Sequence, residues 1–325
     1  MRRRTGLGFL AGGALVYVAG SYIAGRSLSR RLISTEGLAA TTTSREALLA
    51  ALRASGAFVA DYRHAGSPRA PASLAAIFAS PGEPAGRATI VFLHGKGGSA
   101  SEWKPDAVRA LALGYNVLLP DLRGHRPSEG TFVTYGLLEK QDLNLALEAA
   151  RERFGADFTR LGVHACSAGC LTALEFSADK ESVRALWLES PYADPAEMAR
   201  HYLSVGTGLP RALLALTSRW AIRGAVDRVR RELHLGDPRA GLTRIDPVAA
   251  LARVTARVCV VHGEKDLLVP PRFGHRLRQA LPAGSTIWNV DGAGHCHHDD
   301  EAGKVVQKEY DERWNRFFQA NLPAG

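Results

Sequence analysis

From residue 88 onward the chain repeats one pattern, in which a short apolar run is followed by a loop and then by a stretch of helical composition. The runs are rich in branched residues, as strands are when both faces of a sheet are covered. Strands that alternate with helices in this way form a mainly parallel, doubly wound sheet, so the pattern predicts the α/β fold class. The predicted strands are 89–93, 116–120, 161–165, 185–188, 258–261 and 286–290, and helices are predicted at 135–153 and 271–280.

Segments outside this rhythm set the expected domain organisation. Residues 44–58 predict a helix with Ser44 as its N-cap, and two strand-like stretches follow at 58–62 and 73–78. Residues 196–244 have helical composition without a strand-like run, so we expect a small helical cap there. The expected organisation is one domain over 32–325, with the cap at about 196–244, and a separate segment at 1–31.

The segment 1–31 differs from the rest of the chain in charge. It contains six arginines and no acidic residue, whereas the remaining chain has 35 basic and 32 acidic residues. Most of the formal net charge of +9 therefore comes from this segment. A basic balance confined to one terminus is poor support for nucleic-acid binding, so we expect no nucleic-acid partner.

An uncharged stretch at residues 5–25 is long enough to cross a bilayer as a helix. We therefore expect an N-terminal hydrophobic segment that acts as a single-pass membrane anchor and makes the membrane a partner. Two alternatives remain: an exported protein whose signal is cleaved near Val18-Ala19-Gly20, and a helix of the globular domain. The sequence does not predict an oligomeric state.

A serine nucleophile is predicted where the strand at 161–165 runs into small residues and then a helix. Ser167 has Ala165 two residues before it and Gly169 two residues after it, and small residues there let a strand and a helix approach closely around a tight turn. Cys166 is a rival nucleophile, but a turn centred there would put His164 at a position that needs a small residue. The pattern favours Ser167.

The strand at 89–93 ends in the glycine-rich loop His94-Gly95-Lys96-Gly97-Gly98. Such a loop can direct a backbone N–H at the oxyanion that forms during acyl transfer. We predict an oxyanion hole made by the backbone N–H groups of Lys96 and Ala168. The nucleotide-binding pattern G-x-x-x-x-G-K-[ST] does not occur in this loop, which disfavours a phosphate-binding role.

An acid and a base are predicted at the ends of two later strands. Asp266 follows the strand at 258–261 and lies 99 residues after Ser167; His295 follows the strand at 286–290 and lies 29 residues after Asp266. Serine, acid and histidine, each on a loop after a strand, are the three groups of a catalytic triad, and this chain order is one of those in which a triad occurs. We therefore predict Ser167, Asp266 and His295 as catalytic residues.

The cysteines and the histidine-rich segment predict no metal site. The four cysteines show no zinc-ligand spacing and no disulfide framework, and most lie in apolar or motif segments typical of small buried side chains. Residues 295–301 read H-C-H-H-D-D-E, but consecutive ligands cannot all converge on one ion. The acidic residues there suit the first turn of the final helix. We expect neither a metal nor an organic cofactor.

These motifs resemble the α/β-hydrolase superfamily, and within it the serine-aminopeptidase-like branch of bacterial hydrolases. The resemblance covers about residue 89 to the C-terminus and includes three further stretches: 114–125, with its D-x-R-G-H loop, 128–142 and 190–194. Asp121, Arg123, Glu139 and Asp142 in these stretches are interpreted as structural ion-pair or capping groups. The sequence departs from the family pattern at Ala165, where a glycine is usual, and at Arg126, where a glycine commonly follows the histidine.

The resemblance implies an α/β-hydrolase fold and a serine hydrolase that cleaves a carboxylic ester, a thioester or an amide through an acyl-enzyme. Ser167 would be the nucleophile, His295 the base and Asp266 the group that orients the base, without a cofactor. The implied substrate is a small-molecule or lipid-like acyl compound. Two alternatives remain, an acyltransferase that uses the same serine and a catalytically silent, membrane-tethered binding or scaffold protein.

Overall fold

An eight-stranded sheet organises the larger part of the chain. The computed structural model of the protein describes residues 3–36, 44–178, 180–232, 245–296 and 301–325. The strands lie in the order β1-β2-β4-β3-β5-β6-β7-β8, and β2 runs in the direction opposite to the other seven. Their bounds are β1 Phe58–Ala65, β2 Ser73–Ser80, β3 Thr89–Leu93, β4 Asn116–Pro120, β5 Leu161–Cys166, β6 Val183–Glu189, β7 Arg257–Gly263 and β8 Thr286–Val290.

This sheet confirms the predicted α/β-hydrolase fold class. The bounds of β3, β4 and β8 agree with the prediction at both ends, and β5, β6 and β7 are longer than predicted by one to three residues. Apolar runs of this kind are informative because strands buried on both faces select branched and aliphatic side chains at every position.

Helices pack on both faces of the sheet. One apolar core lies between the sheet and α4, α5 and α8, and the other between the sheet and α2, α3 and α10. The largest fully buried side chains include Trp103, Trp187 and Trp314. The helices of this unit are α2 Arg45–Ala54, α3 Lys104–Ala112, α4 Glu139–Phe154, α5 Gly169–Ser177, α8 Pro247–Leu251, α9 Pro271–His275 and α10 Glu301–Asn321.

A side-chain cap and the local backbone conformation explain where two of these helices start. Ser44 caps α2 as predicted, because its hydroxyl accepts a hydrogen bond from Ala47 N–H at 3.0 Å. The helix predicted at 135–153 instead begins at Glu139, because Tyr135 and Gly136 both have positive φ and cannot continue a helix. The carboxylate of Glu139 accepts the N–H of Gly136 at 2.9 Å, which fixes that start.

A second compact unit combines the N-terminus with the predicted helical cap and comprises Met1–Ser34 and Asp194–Arg244. Its helices are α1 Arg3–Ile33, α6 Pro195–Thr207 and α7 Ala215–Glu232, so the described residues of the predicted cap are largely helical. The rest of the predicted cap, 233–244, lies outside the described residues. Long helices can bury a stripe of side chains against one another, and α1 and α7 do so.

Three contacts define the packing of α1 on α7. The ring of Tyr22 meets Trp220 edge-on at 5.0 Å between centroids, and Arg26 pairs with Asp227 at 2.8 Å. A Cβ added at Gly25 would lie 2.5 Å from Cβ of Trp220, so only glycine allows this approach. These contacts hold α1 and α7 together within this unit.

The single-pass membrane anchor expected at the N-terminus stays a prediction. Among the described residues, no helix is both long enough and apolar enough to cross a membrane.

Candidate active site

Ser167 occupies a strained turn between β5 and α5. Its φ is +51°, a value that few residues other than glycine adopt, and its N–H donates to the carbonyl of Glu189 at 2.8 Å. A Cβ added at Gly169 would lie 2.5 Å from the carbonyl oxygen of Leu93, so the predicted requirement for a small residue after the serine has a direct cause. Ala165 is fully buried in the apolar core, where its additional methyl group is accommodated.

The loop after β3 lies against the nucleophile. A Cβ added at Gly95 would be 3.2 Å from Cβ of Ser167, which places the next residue, Lys96, beside the same turn. Ala168 is the N-cap residue of α5, and the N-terminal end of a helix carries partial positive charge. The structure thus brings both predicted oxyanion residues to the turn that holds Ser167. Burial lowers the pKa of the Lys96 ammonium to about 8.

Asp266 follows β7 and is held by the backbone of its own loop. One carboxylate oxygen, Oδ1, accepts from Leu268 N–H at 3.0 Å and from Val269 N–H at 2.7 Å. The other, Oδ2, accepts from Nδ1 of His295 at 2.8 Å. Burial alone would raise the pKa of Asp266, but the hydrogen bond and the charge of His295, together with the backbone donors, hold it below its usual value. The carboxylate is therefore ionised at neutral pH.

His295 follows β8 and is the more open partner. Its side chain is 22% exposed, whereas the side chain of Asp266 is fully buried. Because Nδ1 donates to the carboxylate, the other ring nitrogen, Nε2, is left as the proton acceptor. The loops of the two residues pack backbone against backbone, since a Cβ added at Gly263 would lie 2.1 Å from the carbonyl oxygen of Gly294.

The three predicted catalytic residues thus follow β5, β7 and β8, whose parallel carboxyl ends lie at one edge of the sheet. The Alpha/beta hydrolase family model matches residues 90–308, which is more than half of the chain. The chain belongs to the α/β-hydrolase family. The matched segment contains all three predicted catalytic residues and both oxyanion residues.

Relatives of this α/β hydrolase share parts of the sequence and most of the fold. The uncharacterized protein YqkD of Bacillus subtilis is 25% identical over 188 residues, which are 57% of each chain. The Pyrococcus furiosus esterase Pf2001 has a TM-score of 0.63 at 18% identity, covering 83% of this chain and 94% of that chain. A puromycin-hydrolyzing peptidase of Mycobacterium tuberculosis has a TM-score of 0.60 at 19% identity, covering 84% of this chain and 40% of the peptidase. At 18% and 19% identity, the two solved structures show a shared fold and no more.

A disulfide joins Cys166 to Cys296 and corrects the expectation that the cysteines form none. The sulfur of Cys166 is therefore not available as the rival nucleophile. Cys170 and Cys259 are buried free thiols, and burial raises the pKa of Cys259 to about 11. The disulfide spans 130 residues of sequence, so it depends on the fold that brings β5 and the end of β8 together.

This disulfide also bears on metal binding. Within the described ranges, one group of three potential ligands has its atoms within 4.8 Å of one another, formed by Cys166, His295 and Cys296. Two of these ligands are the bonded sulfurs, and a metal ion requires free thiolates. The structure therefore offers no reason to place a metal at this group. Residues 297–300 of the histidine-rich segment lie outside the described residues.

Ser190 is a polar residue of the site whose individual role sequence reasoning missed. It follows β6, its hydroxyl oxygen accepts from Cys296 N–H at 3.2 Å, and the hydroxyl donates to the carboxylate of Asp266. In the described part of the chain, four non-glycine residues have clearly positive φ, and three of them are Ser167, Ser190 and Cys296. Backbone strain thus concentrates where the nucleophile, acid and base loops meet. The S-P-Y-A-D stretch at 190–194 was the sequence signal for Ser190.

Two buried histidines hold the oxyanion loop, and sequence reasoning did not assign them. Nε2 of His94 accepts from Leu122 N–H at 2.9 Å, and Nε2 of His125 accepts from Gly97 N–H at 3.0 Å. Both rings must be neutral to accept in this way. Burial lowers the pKa of His94 to about 4 and, with the charge of His94, that of His125 to about 3.

The four charged residues interpreted as structural are paired within the fold. Arg123 bridges both carboxylate oxygens of Asp142, at 2.7 and 2.8 Å. Asp121 pairs with Arg45 and accepts from Ala100 N–H at 2.8 Å. The carboxylate of Glu139 accepts from the loop before α4, from Thr134 N–H at 2.7 Å and from Gly136 N–H at 2.9 Å. Each carboxylate has partners that satisfy it, in agreement with the structural interpretation.

Proposed function

We propose that this protein is a serine hydrolase that cleaves a carboxylic ester, a thioester or an amide through an acyl-enzyme. The observation that carries the proposal is the hydrogen bond from His295 Nδ1 to Asp266 Oδ2 at 2.8 Å, at the sheet edge where Ser167 sits on its strained turn. A histidine whose Nδ1–H is bound to a buried carboxylate presents an unprotonated Nε2, as a general base must.

In the proposed reaction, Oγ of Ser167 attacks the carbonyl carbon of the substrate while Nε2 of His295 takes the serine proton. The negative charge that forms on the carbonyl oxygen is stabilised by the backbone N–H groups of Lys96 and Ala168. His295 then gives its proton to the leaving alcohol, thiol or amine, and the acyl group stays on the serine. Water, deprotonated by His295, releases the acid and restores the serine.

Asp266 has two parts in this scheme. Its hydrogen bond keeps the proton of the neutral imidazole on Nδ1, and its negative charge stabilises the imidazolium after proton transfer. The two backbone N–H groups on Oδ1 restrict rotation of the carboxylate, which therefore holds the ring of His295 in one orientation. No step of this scheme needs a cofactor.

Similar structures support the proposed types of scissile bond. One similar structure is an esterase and another is a puromycin-hydrolyzing peptidase, so the same fold supports cleavage of both ester and amide bonds. We propose a small-molecule or lipid-like acyl compound as the substrate. An acyl-enzyme can also pass its acyl group to an alcohol or amine, which makes acyl transfer the competing outcome.

Labelling with a fluorophosphonate probe tests the proposal, because the probe bonds only to an activated serine. Wild-type protein should be labelled at Ser167 and should hydrolyse a chromogenic ester. Ser167→Ala should lose both properties and keep its melting temperature. Ser55→Ala is the control, since this serine lies at the end of α2 and its hydroxyl bonds only the carbonyl of Leu52 among the described contacts.

Three results would separate the alternatives. Wild-type protein that is folded but unlabelled would contradict the hydrolase proposal and favour a silent binding protein. Ester turnover that persists in Ser167→Ala would assign the nucleophile elsewhere. Turnover that rises with added alcohol, while release of the free acid falls, would indicate acyl transfer in place of hydrolysis.

A further inference from the structure

We propose that the Cys166–Cys296 disulfide is a positioning element of the active site, which holds the base against the nucleophile. This inference rests on the proposed function, since it assigns a role in the reaction of Ser167 with His295. Cys166 is the last residue of β5 and directly precedes Ser167, and Cys296 directly follows His295. One covalent bond thus links the residues next to both reacting groups.

The sheet does not make this link by itself. In the strand order, β6 and β7 lie between β5 and β8, so three inter-strand spacings separate the strand that carries Ser167 from the strand that precedes His295. At about 4.8 Å for each spacing, the strand axes are about 14 Å apart. The loop after Val290 must therefore reach back across two strands within five residues to present His295.

The disulfide joins the buried turn of the nucleophile to the more open base. The Ser167 turn is fixed by its hydrogen bond to the carbonyl of Glu189 and by the close contact of Gly169 with the β3 loop. On the other side, Nδ1 of His295 bonds Asp266, and Cys296 N–H bonds the hydroxyl oxygen of Ser190. The side chain of His295 is partly exposed. The disulfide therefore adds a covalent constraint directly beside the base.

The sulfurs are close enough to the base to act on its position. A ring nitrogen of His295 and the two sulfurs lie within 4.8 Å of one another. Both cysteines are buried, at 9% exposure for Cys166 and 5% for Cys296, so the bond is packed into the wall of the site. A shift of about 1 Å between reacting groups costs on the order of 100-fold in rate. Loss of the bond is therefore expected to lower kcat more than it raises KM.

Reduction supplies a reversible form of the test. A dithiol reductant gives two electrons and two protons to the S–S bond, which breaks to two cysteine thiols, while the reductant closes to its own cyclic disulfide. Because the sulfurs are buried, the reductant must be a small molecule used at high concentration. Mass spectrometry of unreduced and reduced peptides verifies the state of the bond before each assay.

The experiment compares kcat, KM and the fluorophosphonate labelling rate in wild type and four variants: Cys166→Ala, Cys296→Ala, the double variant, and Cys259→Ala as a control that removes a buried free thiol. We expect kcat to fall by about 10- to 100-fold in both single variants and in the double variant alike, because either change removes the same bond. KM should change by no more than about twofold, and Cys259→Ala should behave as wild type.

Two further readouts distinguish positioning from a purely structural role. Reduction should lower kcat of the wild type to that of the double variant and reoxidation should restore it, while the double variant itself is unaffected by reductant. The pH profile of kcat/KM should also change on reduction, because the position of the base relative to the nucleophile changes. If the variants do not fold, reduction of folded wild-type protein at a temperature below its melting transition decides the question.

Several outcomes would overturn the inference. They are unchanged kcat and an unchanged pH profile in protein whose bond is verified as reduced, a lowered melting temperature as the sole effect, or peptides that show no Cys166–Cys296 link. In each of these cases Ser167-dependent labelling would leave the hydrolase proposal standing. Oxidised wild-type protein without labelling at Ser167 would overturn both.

Discussion

The Asp266→Asn substitution gives a sharp test of how the proposed triad works. In the folded protein, Oδ1 of Asp266 accepts two backbone N–H groups and Oδ2 accepts Nδ1 of His295. An asparagine keeps both backbone bonds only if its amide oxygen takes the Oδ1 position. Its NH2 group then points at Nδ1 of His295, where a donor now meets a donor.

This change reverses the hydrogen bond that orients the base. The ring of His295 can satisfy the new donor only by accepting at Nδ1, so its single proton moves to Nε2 and blocks uptake of the proton from Ser167. The wrong tautomer costs about 10⁴-fold in kcat in triads of this kind. That factor corresponds to about 5 kcal/mol of lost transition-state stabilisation. We expect a loss of about 10³- to 10⁴-fold here.

Steady-state hydrolysis of a chromogenic ester at neutral pH measures the effect, with the melting temperature as the check on folding. Asp246→Asn is the matched control, because Asp246 also accepts a backbone N–H, that of Ala249, at the start of α8. Asparagine caps a helix about as well as aspartate, so this variant should keep wild-type activity. A folded Asp266→Asn protein with kcat within tenfold of wild type would refute the tautomer argument.

Three more perturbations follow from the geometry. Ser190→Ala removes the hydroxyl that bridges the acid and base loops, so kcat should fall about tenfold; an unchanged kcat would contradict that role. Gly25→Ala should lower the melting temperature, since the added Cβ meets α7 at 2.5 Å and overpacking costs about 1–3 kcal/mol. Gly20→Ala is the control: its added Cβ has no atom within 4 Å, so the change should be neutral or stabilise the protein by up to about 1 kcal/mol. Equal changes in melting temperature for the two variants would contradict the packing argument. Acidification should destabilise the protein, because His94 and His125 are protonated in the unfolded state while their buried rings stay neutral in the folded state. The free energy of unfolding should fall by about 1.4 kcal/mol per pH unit for each histidine as the pH drops from 6.5 toward 4. Denaturant midpoints that do not change between pH 6.5 and 5 would contradict this expectation.

Local sequence determined the sheet and the order of its functional loops. The strands β3, β4 and β8 were predicted to the residue. Every position of β3 and β4 is buried, as in strands covered on both faces, whereas β8 at the edge of the sheet is partly exposed and was indicated by its short run of branched and aromatic residues. The helix start at Ser44 was also readable, since a cap needs only its own hydroxyl and a backbone N–H three residues away. The loops with Ser167, Asp266 and His295 were placed at one sheet edge by their order after parallel strands.

Tertiary structure decided the features that depend on residues far apart in sequence. The disulfide closes 130 residues, and the acid–base bond joins loops whose contact requires glycine at position 263. The N-terminal segment shows the same limit: its uncharged run suggested a membrane span, and its packing on α7 depends on a helix about 200 residues away. Periodicity and capping are set by neighbours within a turn or two, whereas pairings of this kind exist only after the chain has folded back on itself. For that reason the sequence could indicate which groups carry the chemistry, while the contacts that hold them in position had to come from the fold.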